Sequence, residues 1–151
     1  MHISAKADYA VRAAIHLAAS DTAPTKAEAI ADAQQIPAQF LEGILANLRT
    51  AGLLRSRRGA NGGYWLARPA AQITVADVIR AVEGPLASVR GEGPENVSYA
   101  GAAESLRDVW IAVRTNLRDV LENVTLADVA SGKLPAKVRR KAAEPESWRT
   151  R

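Results

Sequence analysis

The sequence contains no cysteine, which excludes disulfides, thiolate nucleophiles and cysteine-bound metal centres. Aromatic residues are scarce, with three Trp, three Tyr and one Phe among 151 residues. Alanine and valine dominate the apolar content instead, favouring close helix packing over a sheet of bulky side chains. No run of about 18 apolar residues and no apolar leader region occurs, so neither a membrane span nor a signal peptide is expected. The default expectation is a soluble cytoplasmic protein with no membrane partner. Histidines number two, His2 and His16. Neither they nor the scattered carboxylates show the spacing of a metal site or a catalytic triad. No catalytic residue, metal ligand or cofactor is therefore expected.

What is present is unevenly charged. The net charge is +4, but residues 1–69 carry 8 basic and 5 acidic groups, residues 70–132 carry 5 and 9, and residues 133–151 carry 7 and 2. The length suits one domain with an extension. A basic first half beside an acidic middle suggests two jobs, with the basic surface suited to polyanions.

Residues Ile3–Ala19 lack Gly and Pro. Ala7, Ala10, Val11, Ala14, Leu17 and Ala18 recur at helical spacing, and Ser4 can cap the start. Thr25 stands three residues before Glu28, a capping-box pattern that predicts a short second helix over Lys26–Ala33, with Ala29, Ile30 and Ala33 inward. Pro37 suits the first position of a third helix running to Thr50, with Gly52 as its stop. Phe40, Leu41, Ile44, Leu45 and Leu48 form its apolar stripe, and Ala38, Gln39, Glu42, Gly43, Asn47 and Arg49 its other face. Three helices with a short turn between the last two suggest a helix-turn-helix. Leu53–Arg57 and Gly63–Ala67 then read as two strands of a hairpin whose tip glycines permit positive φ.

Downstream, Thr74 caps a helix over Val75–Val82, with Val75, Val78, Ile79 and Val82 inward. Residues 85–101 read as a loop or ligand segment. Ala102–Val124 predicts the longest helix, about 34 Å. Its Leu106, Val109, Val113, Leu117, Val120 and Val124 form a near-heptad seam, flanked by Trp110 and Leu121, that suits self-pairing into a homodimer. A short helix closes over Leu126–Ala130. Residues 133–151 lack an apolar face and read as a mobile, disordered basic tail. The expected architecture is mainly α with a small β-hairpin. A winged helix-turn-helix occupies 1–84, a loop 85–101, and a dimerisation helix with a closing helix 102–132.

The stretch RSRRGANGGYWLARP, Arg55–Pro69, has two chemical readings. A phosphate-binding enzyme loop needs Gly-x-x-x-x-Gly-Lys-Ser/Thr leading into a helix. Here a strand follows and no Lys-Ser/Thr occurs, so an enzyme is the weakest reading. A wing is the other, with Arg55, Arg57 and Arg58 as its charge and Gly59, Asn61, Gly62 and Gly63 allowing close approach to phosphate or the minor groove. On the helix before it, Pro37, Ala38, Gln39, Phe40, Glu42 and Arg49 are candidates for contact with double-stranded DNA. Gln pairs bidentately with adenine and Ala touches a thymine methyl. A merely solvated face remains the alternative for Glu42 and Asn47. Thr25 and Lys26 are candidate phosphate contacts. Residues 85–110, with Tyr99 and Trp110, could hold a small effector or a partner protein, or simply pack. A winged-helix module for protein interaction without DNA is a further alternative, opposed by the basic wing.

Five segments carry a family pattern: MHISAKADYAVRAAIHLA (1–18), IPAQFLEGILANLRTAGLL (36–54), RRGANGGYWLARP (57–69), ITVADVIRAVEG (73–84) and TLADV (125–129). Together, over roughly residues 1–134, they resemble the Rrf2 family of bacterial transcription regulators. The resemblance implies a winged-helix domain, a long dimerisation helix and a homodimeric regulator, taken as a repressor, on a near-palindromic operator. Cluster-binding members carry three cysteines between the Glu-Gly and the long helix. The corresponding Pro85–Leu106 contains none. Ser88, Asn96, Ser98, Tyr99 and Glu104 there show no metal-ligand spacing. The resemblance is thus to a branch without an iron–sulfur cluster.

Overall fold

The structure, a computed structural model, describes residues 2–150. Met1, at the start of the first family segment, and Arg151, at the end of the basic tail, lie outside the described residues. Helix α1 spans Ala5–Ala19, and the Ser4 hydroxyl caps it by accepting from the Ala7 amide at 3.0 Å. Helix α2 spans Ala27–Gln34 and α3 spans Ala38–Thr50. Between them Gln35 takes a left-handed conformation, φ 52°. Ile30 of α2, Leu41, Ile44, Leu45 and Leu48 of α3, and Ala10, Ala13, Ala14 and Leu17 of α1 meet in one buried core. Removing one of these leucines down to alanine would cost about 2–5 kcal/mol.

Two local expectations fail in α2. Lys26 is its N-cap and makes no side-chain capping bond, so the Thr25–Glu28 box does not form. Thr25 is held elsewhere: its amide donates to Tyr64 O at 2.9 Å, its carbonyl accepts from the Tyr64 amide at 2.8 Å, and its hydroxyl donates to Thr22 O. This backbone pairing to the hairpin outcompetes a cap. Ala29 and Ala33 face solvent, and Ala27 and Ala31 are the alanines packed with Ile30.

Strands β1 (Leu54–Arg57) and β2 (Gly63–Leu66) pair antiparallel, with Leu54 opposite Leu66, Arg55 opposite Trp65, Ser56 opposite Tyr64 and Arg57 opposite Gly63. Tyr64 and Leu66 pack on the core, whereas Trp65 is half-buried outside it beside Arg55. The fold is thus helical around a two-stranded hairpin, a winged helix-turn-helix with helices added at its C-terminal side.

Helix α4 spans Val75–Glu83 and α6 spans Leu126–Ser131. Each begins with the same five-residue logic, Thr-x-Ala-Asp-Val, and each forms a complete capping box, Thr74 with Asp77 and Thr125 with Asp128. The two caps lie side by side in an antiparallel bridge, with Val75 N donating to Val124 O and Leu126 N to Ile73 O, both at 2.9 Å. That bridge explains the length of α5, which spans Leu106–Leu121 rather than 102–124. To reach Thr74 the chain must be extended by Val124, so the helix ends first. At its other end residues Gly101–Ala103 form a 3-10 turn. At 16 residues α5 is about 24 Å long.

Residues 85–101 form an irregular segment anchored by buried Leu86, Pro94 and Val97. The C-terminal stretch also departs from expectation. Helix α7 spans Ala136–Ala143, and a 3-10 turn over Pro145–Trp148 folds back on it. Ser147 Oγ donates to Lys141 O and Trp148 Nε1 to Ala142 O, satisfying carbonyls that a helix end leaves open.

Candidate nucleic-acid interface

Helix α3 buries one face so completely that the other is left for a partner. Leu41 is 1% exposed, and Leu45 and Leu48 are 0% exposed. Opposite them Ala38, Gln39, Glu42, Gly43, Ala46 and Arg49 are exposed, with Pro37 as N-cap. Phe40 corrects the sequence reading in part. Its spacing places it in the apolar stripe, but it is 52% exposed. It lies about 90° round the helix from the centre of the Leu41–Leu48 stripe. Its ring meets Tyr9 of α1 at 6.1 Å between centroids, and the Arg12 guanidinium carbon sits 4.9 Å from the centre of the Tyr9 ring. Arg12 also donates to Gln34 O at 2.8 Å, tying α1 to the end of α2.

The hairpin sits beside this face. Arg49 Nη1 donates to Ser56 Oγ at 3.2 Å, linking the end of α3 to β1. Arg57 Nη2 reaches across the tip to Asn61 O at 2.9 Å, and the Gly62 amide closes the turn on Gly59 O. Gly59 and Gly63 hold the positive φ expected of tip glycines, and Gly62 and Gly63 also meet backbone closely. A Cβ on Gly62 would lie 2.1 Å from Arg57 O, and one on Gly63 2.5 Å from Thr25 O. The close approach at this glycine pair is therefore to the protein's own backbone. Gly59, at φ +103°, has open space around it.

Charge is left uncompensated along this side. Lys26, Arg49, Arg55, Arg57 and Arg58 are exposed, and among the described residues none of them makes an ion pair. Arg68, by contrast, turns to Asp77 at 4.0 Å. Five cations on the start of α2, the end of α3 and the wing make a surface suited to phosphates.

The second candidate surface is α5. None of its residues is buried. Val109 is 51% exposed, and Leu106, Trp110, Val113, Leu117, Val120 and Leu121 are half-buried. Val124 departs from the predicted seam: it is buried within its own chain at the Thr74–Thr125 bridge. Trp110 Nε1 donates to Tyr99 Oη at 3.1 Å, and Arg114 pairs with Glu95, pinning the 85–101 segment to α5. The Glu95 carboxyl is held below its ordinary value, first by its own backbone amide and then by Arg114.

Comparison with known proteins fits this geometry. A family model described as "Rrf2: Iron-dependent Transcriptional regulator" matches residues 3–132. The chain belongs to the Rrf2 family. It is 54% identical over 139 residues to Rv1287, an HTH-type protein of Mycobacterium tuberculosis, covering 91% of this chain and 86% of that one. It is 36% identical to the HTH-type transcriptional regulator CymR of Bacillus subtilis, covering 87% and 91%. Among solved structures, B. subtilis CymR superposes with a TM-score of 0.73 at 35% identity, covering 87% of this chain and 98% of that one. IscR of T. potens superposes at 0.68 and 33%, covering 100% and 93%. As an Rrf2 protein the chain is a DNA-binding transcriptional regulator and not an enzyme.

The iron in the family's description does not fit the residues of this Rrf2 chain. A cluster needs thiolates, and the chain has none. In the 85–105 segment Glu95 is committed to Arg114. Among the described residues no three His, Asp or Glu side chains come together as a metal site. Sequence reading places Gly43 on the open face of α3 without counting it among the DNA contacts, and it passes over Ala46 on that face and Tyr9 and Arg12 at its edge. Gly43 carried a signal, since glycine inside a helix needs a reason. Tyr9 and Arg12 carried none, because only packing of α1 against α3 brings them there.

Proposed function

We propose that the chain is a homodimeric repressor that reads a near-palindromic operator. The observation that carries this reading is the open face of α3 lying beside a wing whose arginines have no acidic partner among the described residues. In it α3 enters the major groove, with Ala38, Gln39 and Glu42 at base edges and Pro37, Phe40 and Arg49 beside them. Arg55, Arg57 and Arg58 follow the adjacent backbone or minor groove, and Thr25 and Lys26 meet phosphates at the start of α2. Gly59, Gly62 and Gly63 with Asn61 shape the tip that delivers them. Residues 1–84 act as the reading unit and 102–132 as the dimerisation unit. Leu106, Val109, Trp110, Val113, Leu117, Val120 and Leu121 pair with a second copy, which would cover a helix that its own chain leaves without a buried residue. Two reading units on one duplex set half-sites about 34–36 Å apart.

Selection of bound duplexes from a random pool tests DNA binding, symmetry and spacing together. The expected result is an inverted repeat with half-sites one helical turn apart. Recovery of no enriched sequence would overturn the operator reading. Replacing Arg57 and Arg58 by alanine is expected to weaken operator binding and flatten its salt dependence. An unchanged affinity and slope would remove the wing from the interface. Repression is read by transcription in vitro from the selected operator placed over a promoter.

A second reading concerns the signal. Segment 85–90 separates two grooves, one of about 580 Å³ between α1, α4 and α5 and one of about 310 Å³ against Trp110 and Val113, with Ala87 and Ser88 lining both. Ala87 holds φ +54°, a conformation an alanine adopts only at a cost. A small effector held there would shift α5 relative to the reading unit. Native mass spectrometry of protein purified from its host is expected to show an added mass, and bare dimer alone would refute it.

A further inference from the structure

The family match ends at residue 132, but the ordered chain does not. Leu134, Pro135 and Val138 are half-buried, and Lys137 pairs with Asp119 of α5, so α7 is docked on the body. Eight residues form no stable helix alone. Here the Ser147 hydroxyl and Trp148 indole close its C-terminal end. The docked helix displays Arg139, Arg140 and Lys141 outward. All three are exposed, and among the described residues none has an acidic partner. Cations in a last turn favour the helix dipole by about 0.3–1 kcal/mol each, but one would suffice for that, and three adjacent ones repel each other. Lys133, exposed at the approach to the helix, adds to the same field.

We propose that α7 is a second, sequence-independent contact for duplex DNA. Arg139, Arg140 and Lys141 fan round the exposed arc of α7 at about 100° per residue, so their long side chains suit an extended polyanion, whose charges recur about every 1.7 Å of axis, better than an isolated acidic side chain. Residues 133–151 hold no Asn or Gln, the side chains that read adenine. The contact proposed is to phosphates, the polyanion surface that Arg and Lys meet on any duplex sequence. Tethering to a DNA-binding unit raises the effective concentration of duplex at α7 far above that of other polyanions. The inference rests on the DNA-binding reading, yet fails separately from it. It places a cation surface on a helix tied to α5 through Lys137 and Asp119, where it holds flanking or neighbouring duplex.

The test is the full-length variant R139Q/R140Q/K141Q, in which glutamine keeps helix propensity and removes charge. Binding of a random-sequence 40-base-pair duplex is followed by fluorescence anisotropy from 50 to 200 mM salt. Three lost phosphate contacts lower the slope of log K against log salt by about 2.7. Over that range the wild type should then lose about 40-fold more affinity than the variant. Unchanged circular dichroism and sedimentation confirm an intact fold. Equal slopes in the two proteins overturn the assignment of α7 while leaving the operator reading standing, whereas a wild type that binds no duplex overturns both. Anionic phosphatidylserine vesicles serve as the competing target. Binding to them that depends on the three cations, with equal DNA slopes, would assign the helix to a membrane surface and overturn the proposal.

Discussion

Gly43 offers a sharp separation of stability from function. It lies inside α3 on the open face, and a Cβ built there meets nothing within 4 Å. Nothing inside the protein requires a glycine. Its φ is not in the left-handed region, so alanine fits the backbone as it stands. Glycine in a helix interior costs about 0.8–1.0 kcal/mol relative to alanine, so Gly43→Ala should stabilise the fold by about 1 kcal/mol. For a chain of this size that is a rise in Tm of about 2–4 °C. If α3 enters the major groove, the same methyl group intrudes on a close backbone approach to DNA. Overpacking of that kind costs about 1–3 kcal/mol, which is about 5- to 150-fold in Kd. Chemical denaturation and operator binding by anisotropy, on one preparation, read the two effects. A variant that is more stable and binds the operator as tightly as wild type would refute close approach at this turn. A variant that is less stable would refute the reasoning about the open face.

Further outcomes follow from the wing, the long helix and the Glu95 turn. Gly62→Ala must drive a Cβ into Arg57 O; it should open the tip and weaken DNA binding at least as much as losing Arg57 and Arg58. Gly59→Ala, with open space but φ +103°, should cost about 1–3 kcal/mol locally and disturb binding less; equal effects would refute the backbone-contact account. Placing aspartate at both Val109 and Val113 should yield monomers in sedimentation velocity at micromolar concentration; a persisting dimer would remove α5 from the interface. The Glu95 carboxyl is held below its ordinary value of 4.5. Its stabilisation is therefore present above that pH and lost as pH falls through the lowered value in the folded state. Glu95→Gln should flatten the acid limb of a stability–pH curve, and an unaltered limb would refute the pairing with Arg114.

Much of the reading surface was legible locally. The Leu41, Ile44, Leu45 and Leu48 stripe leaves Ala38, Gln39 and Glu42 outward by helix geometry alone, and the Gly-rich run between strand patterns specifies a hairpin. Thr74 with Asp77 and Thr125 with Asp128 announce their own caps because all the atoms involved lie within one turn. Where reading failed, a contact distant in sequence had won. Thr25 has the same capping pattern as Thr74, but pairing with Tyr64 claims its backbone. Val124 continues the spacing of the α5 seam, but the bridge to Thr74 pulls it out of the helix and buries it.

By itself, then, the sequence determined the class of the molecule: helices, hairpin, basic wing, and the impossibility of a thiolate-bound cluster. These follow from residue type and short-range periodicity, which need no knowledge of the rest of the chain. Tertiary structure alone decided that Gly63 packs on the Thr25 backbone, that Phe40 joins Tyr9 and Arg12 at the edge of α3, and that the C-terminal segment is a docked basic helix. Each depends on a surface supplied by a distant element, and no local pattern encodes which distant surface will arrive.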